Sequence, residues 1–345
     1  MGRMRVLVCG SNYGRAYVTA LAREPRKYQL AGLLARGSLR SQRLAALNGV
    51  PLYCSTNELP DNIQLACAAM SSTAFPVVLE LLRRGIHVLC EHPYPANAMK
   101  QALDLARKRG VQFHVNGHFV NLPAPRIFIS ECQRALKLTR PEFVEVMATE
   151  RSLYGALDVL MAAMGSGPQH LKIGNRRALR LEPAAMGRQP LRVRVLSRRA
   201  RFVLLEGTLG KIPLRVSVQV SGKGRSRLAD GSPDYQLDQR LTVAFPAGLL
   251  TLLSAAGPVF WNRTAAQAQG QRAPQFQREG PLWTVLSGQE TQTLPELGEQ
   301  RIQANVTMLN SIRQSILGRA TPETQQPQHI LQVSRAWEAT GRQLY

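Results

Sequence analysis

Long apolar runs, paired cysteines and acidic side chains are all scarce in this 345-residue chain. Nothing approaches the roughly 18 to 20 continuous apolar residues that a membrane helix needs, so no membrane partner is expected. The N-terminal apolar run is too short for a secretory signal and breaks at Gly10. The five cysteines (Cys9, Cys54, Cys67, Cys90 and Cys132) form no C-x-x-C pair and lie mostly among apolar residues. That argues against a disulfide framework or a zinc site and predicts small core residues in a reducing, cytoplasmic setting. H-E-x-x-H, Cys/His clusters and G-x-S-x-G are also missing, so neither a metal site nor covalent hydrolase chemistry is expected.

Carboxylates are outnumbered two to one, 22 against 44 Lys plus Arg, for a net charge of +22. The positive charge is spread along the chain, with no basic block or tail. Spread charge favours steering of an acidic partner over a dedicated DNA-reading element, and no specific nucleic-acid partner is expected.

What the chain does have is alternation. Short apolar runs at Arg5–Cys9, Tyr28–Leu34, Leu52–Cys54, Ala66–Met70, His87–Cys90 and Gln112–Val115 predict strands. Helix-period segments at Arg15–Arg23, Arg40–Leu47, Phe75–Arg84 and Ala98–Arg109 fall between them. Such alternation predicts a Rossmann-type doubly wound parallel sheet over residues 1–122. Beyond it, helices at Ala124–Leu138 and Leu153–Met164 accompany β-rich runs at Phe143–Ala148, Leu191–Leu196, Arg201–Leu205, Ile212–Val220, Leu237–Phe245 and Gly248–Leu253. These predict an α+β domain over 123–345 with a large, mainly antiparallel sheet, serving substrate binding and dimerisation. Residues 263–300 read as a long loop, followed by helices near Glu299–Leu317 and Pro327–Arg342, the last packing back on the first domain.

The chemistry gathers at predicted strand ends. Met4–Cys9 runs into Gly10-Ser11-Asn12-Tyr13-Gly14, a glycine-spaced turn entering a helix, where backbone N–H groups and the helix dipole suit a pyrophosphate. If Gly14 stands for the third glycine of G-x-G-x-x-G, Cys9 and Ser11 occupy the first two slots. At the end of the second strand, NAD-binding chains usually carry Asp or Glu for the ribose 2′-hydroxyl. Here stand Arg36, Gly37, Ser38 and Arg40, which suit a 2′-phosphate, so the cofactor expected is NADPH. Ser72 and Thr73 follow the fourth strand and are placed either to touch the cofactor or to cap the next helix.

Glu91-His92-Pro93 follows the fifth strand, and Glu91 and His92 count with the cofactor-contacting residues. His92 is also the candidate proton donor, since histidine can donate near neutral pH as reduction of C=N requires. After the sixth strand, Asn116 can orient a carboxamide and His118 is a second ionisable candidate, whereas His87 and His114 lie within strands and read as structural.

In this order the segments resemble the thiazolinyl imine (imide) reductases of siderophore assembly lines of the yersiniabactin and pyochelin type. These fall within the superfamily of glucose-fructose oxidoreductase, inositol dehydrogenase and biliverdin reductase. The resemblance runs through Gly10–Tyr17, Leu33–Ser41, Pro51-Leu52-Tyr53, Ser72-Thr73, Val88–Pro93, Asn116, Arg151–Asp158 and Gly257–Trp261. The superfamily's usual Glu-Lys-Pro reads Glu91-His92-Pro93 here, as in the imine-reductase branch. It implies NADPH-dependent reduction of a thiazoline to a thiazolidine. The implied substrate is tethered to an acidic carrier domain of a nonribosomal peptide or polyketide synthetase. One departure stands out: Phe119 occupies the place of a family tyrosine, leaving any acid role to His92, His118 or water. A sugar or polyol dehydrogenase of the same superfamily, and a noncatalytic NADP(H)-binding protein, are the alternatives. A homodimer is expected.

Overall fold

The computed structural model describes residues 2–70, 74–165, 171–180, 201–220, 239–263, 283–285 and 294–344. They form two compact units, Met1–Leu122 with Thr293–Arg335, and Pro123–Gln292 with Ala336–Tyr345.

In the first unit, six parallel strands are ordered β3-β2-β1-β4-β5-β6: β1 Met4–Cys9, β2 Tyr28–Leu34, β3 Leu52–Tyr53, β4 Leu65–Ala68, β5 His87–Cys90 and β6 Phe113–Val115. This is the dinucleotide-binding order, with its switch point between β1 and β4. The central strands are mostly apolar because both faces are covered: Val6, Leu7, Val8, Leu65, Cys67, Val88 and Leu89 are fully buried. Helices α1 (Gly14–Ala22), α2 (Leu39–Leu47), α3 (Phe75–Arg83) and α4 (Ala96–Arg109) make the crossovers. Proline at the start of α3 and a left-handed Gly110 after α4 punctuate them.

Residues Thr293–Arg335 belong to this unit, although 123–345 was expected to form one domain. The cause is α7 (Leu294–Ile316): Val306, Met308, Leu309 and Ile312 recur at helical spacing and pack into the core formed by Val8, Tyr17, Leu21 and Leu33. Asn310 fastens the helix further, donating to Glu24 at 3.1 Å and accepting from the Tyr28 hydroxyl at 3.2 Å. At the edge strand β6, the Gln325 side-chain amide accepts from Val115 N–H at 3.2 Å and donates to Val115 C=O at 3.0 Å, as a neighbouring strand would.

Among the described residues of the second unit, eight strands are ordered β14-β13-β12-β11-β7-β10-β9-β8. They are β7 Phe143–Thr149, β8 Leu171–Arg180, β9 Arg201–Leu209, β10 Ile212–Val220, β11 Gln239–Phe245, β12 Gly248–Leu252, β13 Val259–Arg263 and β14 Trp283–Val285. Only β7 and β10 pair in parallel; the rest are antiparallel. Alternate residues of β7 (Val144, Val146 and Ala148) are buried on the face that carries α5 (Pro123–Leu136) and α6 (Leu153–Met164). The fold is thus a Rossmann unit followed by a mainly antiparallel sheet domain.

Three differences from expectation concern this region. Strands β8 and β13 were not anticipated: β8 carries Lys172, Arg176 and Arg177 and so lacks an apolar signature, while β13 is only five residues. Within 263–300, Trp283–Val285 pairs with β13 and α7 begins at Leu294, so those stretches are not loop. Proline at position 295 suits a first helical turn, which accounts for the early start. The expected strand Leu191–Leu196 lies outside the described residues. No helix among the described residues is long and apolar enough to cross a membrane.

Candidate active site

The turn after β1 is built by backbone. Gly10 has φ +97°, and a Cβ on it would stand 2.3 Å from the Ala69 carbonyl oxygen. At Gly14 a Cβ would meet Val8 Cγ1 at 2.9 Å, so only glycine lets α1 start this close to β1. Two glycines thereby do the work usually divided among three: a turn that passes under β4, and close helix–strand contact. Gly10 N–H is held by the Leu34 carbonyl at 2.9 Å. Helix α1 begins without a side-chain cap or an acidic residue in its first turn. Its leading N–H groups therefore keep their affinity for an anion, and a dinucleotide pyrophosphate fits this cradle. Around it Ser11 is buried, Asn12 is exposed with its carbonyl accepting from Arg15 Nε at 3.4 Å, and Tyr13 is 45% exposed.

The end of β2 supplies the cations. Arg36, Ser38 and Arg40 are exposed, around Gly37 at φ +74°. Ser38 is the N-cap of α2, its hydroxyl accepting from Ser41 N–H at 3.4 Å. Arg40 Nε reaches Ser11 Oγ at 3.4 Å, which joins the second-strand end to the glycine turn. The first turn of α2 holds no carboxylate. Glu58 is directed instead to Cys54 N–H at 3.0 Å. This strand end therefore presents guanidinium groups and no carboxylate from α2. Ser72 and Thr73 lie outside the described residues.

The ends of β5 and β6 bring together Glu91, His92, Asn116 and His118. Glu91 N–H bonds to the Ala68 carbonyl, extending the sheet one residue past β5. Its carboxylate accepts from the fully buried Tyr17 hydroxyl and from Asn116 Nδ2 at 2.8 Å. Burial pushes the Glu91 carboxyl up to about 7, against the opposing pull of those two hydrogen bonds. Asn116, fully buried, also donates to Asn305 Oδ1 of α7 at 3.2 Å. Its own Oδ1 is buried with no partner. With the amide nitrogen committed inward, the free oxygen is an acceptor of the kind a nicotinamide carboxamide requires.

Half-buried His92 sits between Glu91 and Pro93. His118 is buried beside Phe119, ring centroids 4.2 Å apart. Desolvation, reinforced by the charges of His92 and Arg301, holds the His118 imidazole down at about 3. At neutral pH it is therefore an uncharged imidazole, a weaker acid than the sequence alone implies. His87 Nδ1 accepts from Gln112 N–H at 2.9 Å and His114 Nε2 pairs with Gln112 Oε1 at 2.9 Å, both structural. Among the described residues no group of three or more His, Cys, Asp or Glu is placed to hold a metal ion.

Sequence reasoning did not single out Tyr17, Asn305 or Arg301. The signal for Asn305 was present, as a polar residue inside the apolar stripe of α7 four residues after Arg301, but its partner is 189 positions away.

Residues 4–117 match the family described as "Oxidoreductase family, NAD-binding Rossmann fold" (GFO_IDH_MocA). Residues 4–117 are thus similar to the NAD-binding Rossmann part of that oxidoreductase family. Among solved structures, the chain is similar to the WlbA dehydrogenase from Bordetella pertussis in complex with NADH and UDP-GlcNAcA. Identity is 12%, coverage 99% of this chain and 95% of that one, and the TM-score 0.66. It is also similar to a 3-ketoreductase from Actinomadura kijaniata solved with NADP and TDP-benzene (13% identity, 98% and 97% covered, TM-score 0.67). A third is UDP-N-acetylglucosamine 3-dehydrogenase from Acidithiobacillus ferrooxidans (13% identity, 98% and 96% covered, TM-score 0.65). At these identities the likeness speaks for the fold alone. No curated protein matches the chain.

Proposed function

We propose that the protein is an NADPH-dependent reductase of a carbon–nitrogen double bond, converting a thiazoline to a thiazolidine during siderophore assembly. When bound, NADPH supplies a hydride to the imine carbon, and the balancing proton must reach the ring nitrogen. The observation that carries the reading is at the β5 end. Glu91 is fixed by Tyr17 and Asn116, His92 follows it, and the unpaired Asn116 oxygen is available for the carboxamide. Hydride donor and proton donor thereby meet at one strand end, with His92 in the donor role because buried His118 stays neutral. Gly10 to Gly14 receive the pyrophosphate, and Arg36, Ser38 and Arg40 the 2′-phosphate.

An acidic carrier domain bearing the tethered substrate suits the net charge of +22, and the protein is assigned to the cytoplasm. A homodimer is favoured by the second sheet, where Leu249 and Leu253 are 40% and 45% exposed. The test is NADPH oxidation with a 2-aryl-thiazoline presented on a carrier domain or as a small analogue. Wild-type turnover that disappears in His92→Ala supports the reading; turnover unchanged in His92→Ala removes that residue from the acid role.

A second reading, a nucleotide-sugar dehydrogenase or ketoreductase, is favoured by the solved structures of similar fold. It predicts NADP⁺ reduction with a UDP-sugar and none of the thiazoline activity. Cofactor binding without turnover of either substrate class would point instead to a noncatalytic NADP(H)-binding protein.

A further inference from the structure

Helix α7 brings a second functional group to this site. It packs against the Phe119–Asn121 turn, directly after His118, and its Asn305 bonds Asn116. Arg301 precedes Asn305 by one helical turn, so the two side chains leave the same face of α7. Arg301 is half-buried, its Nε is occluded and has no partner, and it joins no ion pair among the described residues. A guanidinium in such a position is costly unless it meets an anion. The nearest carboxylate in the cluster, Glu91, is committed to Tyr17 and Asn116.

We infer that Arg301 is the anion anchor of the substrate, taking a carboxylate or phosphate beside His92 and His118. The inference rests on the reading of this strand end as the active site of a reductase. The cofactor's own charges do not explain Arg301. Its pyrophosphate belongs at the Gly10 turn and its 2′-phosphate at Arg36 and Arg40, whereas the end nearest Asn116 is the nicotinamide, which carries no anion. Arg301 thus points to a substrate with negative charge close to the reducible bond. A carboxylate on the heterocycle itself lies that close, whereas the phosphate of a phosphopantetheine tether stands at the far end of its arm.

The experiment compares wild type, Arg301→Gln and Arg301→Lys, each saturated with NADP⁺ and checked for an unchanged Tm. The probes are a 2-aryl-thiazoline-4-carboxylate, its methyl ester, the phosphopantetheinyl thioester, and inorganic phosphate. Arg301→Gln is expected to weaken binding of the anionic probe, measured by calorimetry, about 10- to 100-fold. The neutral ester and NADPH should stay within about twofold, and Arg301→Lys should restore part of the loss. Loss confined to the acid identifies the ring carboxylate as source; loss confined to the phosphopantetheinyl probe overturns an anchor beside the reducible bond. Equal loss for acid and ester, or a matching rise in the NADPH Kd, overturns the inference.

A chemical readout separates this idea from the reaction assignment. Phenylglyoxal modification of Arg301, followed by peptide mass spectrometry, should be slowed by the anionic probes or by phosphate and not by the ester. Protection by phosphate with no thiazoline binding or turnover would sink the imine-reductase reading and leave the anchor standing. Modification that no anion slows overturns the anchor, whatever the enzyme reduces.

Discussion

The two halves of the candidate site are made differently. The Gly10 turn and the β2 end lie within about thirty residues of one another and are built mainly from backbone: a positive φ, two glycines in contact with Ala69 and Val8, and bare helix N–H groups. The β5–β6 end is built from side chains far apart in sequence, with Tyr17, Glu91, Asn116 and Asn305 in one hydrogen-bonded chain. The first half joins a glycine turn to the exposed cations of the β2 end. The second fixes one amide and one carboxyl.

If that division is right, variants should separate binding from turnover. The largest effect is expected from His92→Ala: about a 10²- to 10⁴-fold fall in kcat with the NADPH Kd unchanged, by stopped-flow and fluorescence titration. A rise in Kd of the same size would erase the division. Next, Arg36→Ala combined with Arg40→Ala should raise the NADPH Kd about 10- to 100-fold and leave NADH alone. Preference for NADPH that persists would mean the 2′-phosphate is read elsewhere.

Asn305→Ala should come third. It frees Asn116 to rotate, so the KM for NADPH and kcat should both worsen by several-fold, with about 1–2 kcal/mol of stability lost by denaturant titration. A stability loss with unchanged kinetics would make Asn305 a packing residue only. The last variant tests a pH dependence. Burial raises Glu91 to about 7, above its ordinary 4.5, so its contribution to stability is complete below pH 4.5 and is lost as pH rises through 7. Glu91→Gln, which cannot ionise, should therefore gain on wild type between pH 5 and 8, by about 3 kcal/mol at most. A Tm difference that stays flat over that range would show that Glu91 is not held half-protonated.

The same division explains what the sequence disclosed. Strands Tyr28–Leu34 and His87–Cys90 and helix Leu153–Met164 have the bounds their apolar runs predict, because largely buried segments are written almost entirely in apolar residues. The glycine turn was equally legible, since its signal is two glycines at short spacing. Strand β8 was not, because its basic residues obey pairing with β9 and not hydrophobic alternation. The return of Thr293–Arg335 to the first unit, and with it Arg301 and Asn305, has no local signature at all. An amphipathic helix declares that it will be buried, but not against what.

Gln325 has a consequence for how copies of the chain meet. A sheet can grow only where it shows an unoccupied ladder of N–H and C=O groups. On one side of the first sheet the margin is β3, just two residues long; on the other, the carboxamide of Gln325 already holds both backbone groups of Val115. A second molecule thus meets a two-residue margin on one side and an occupied Val115 on the other. Replacing one glutamine with alanine would reopen that position without touching the cofactor cradle.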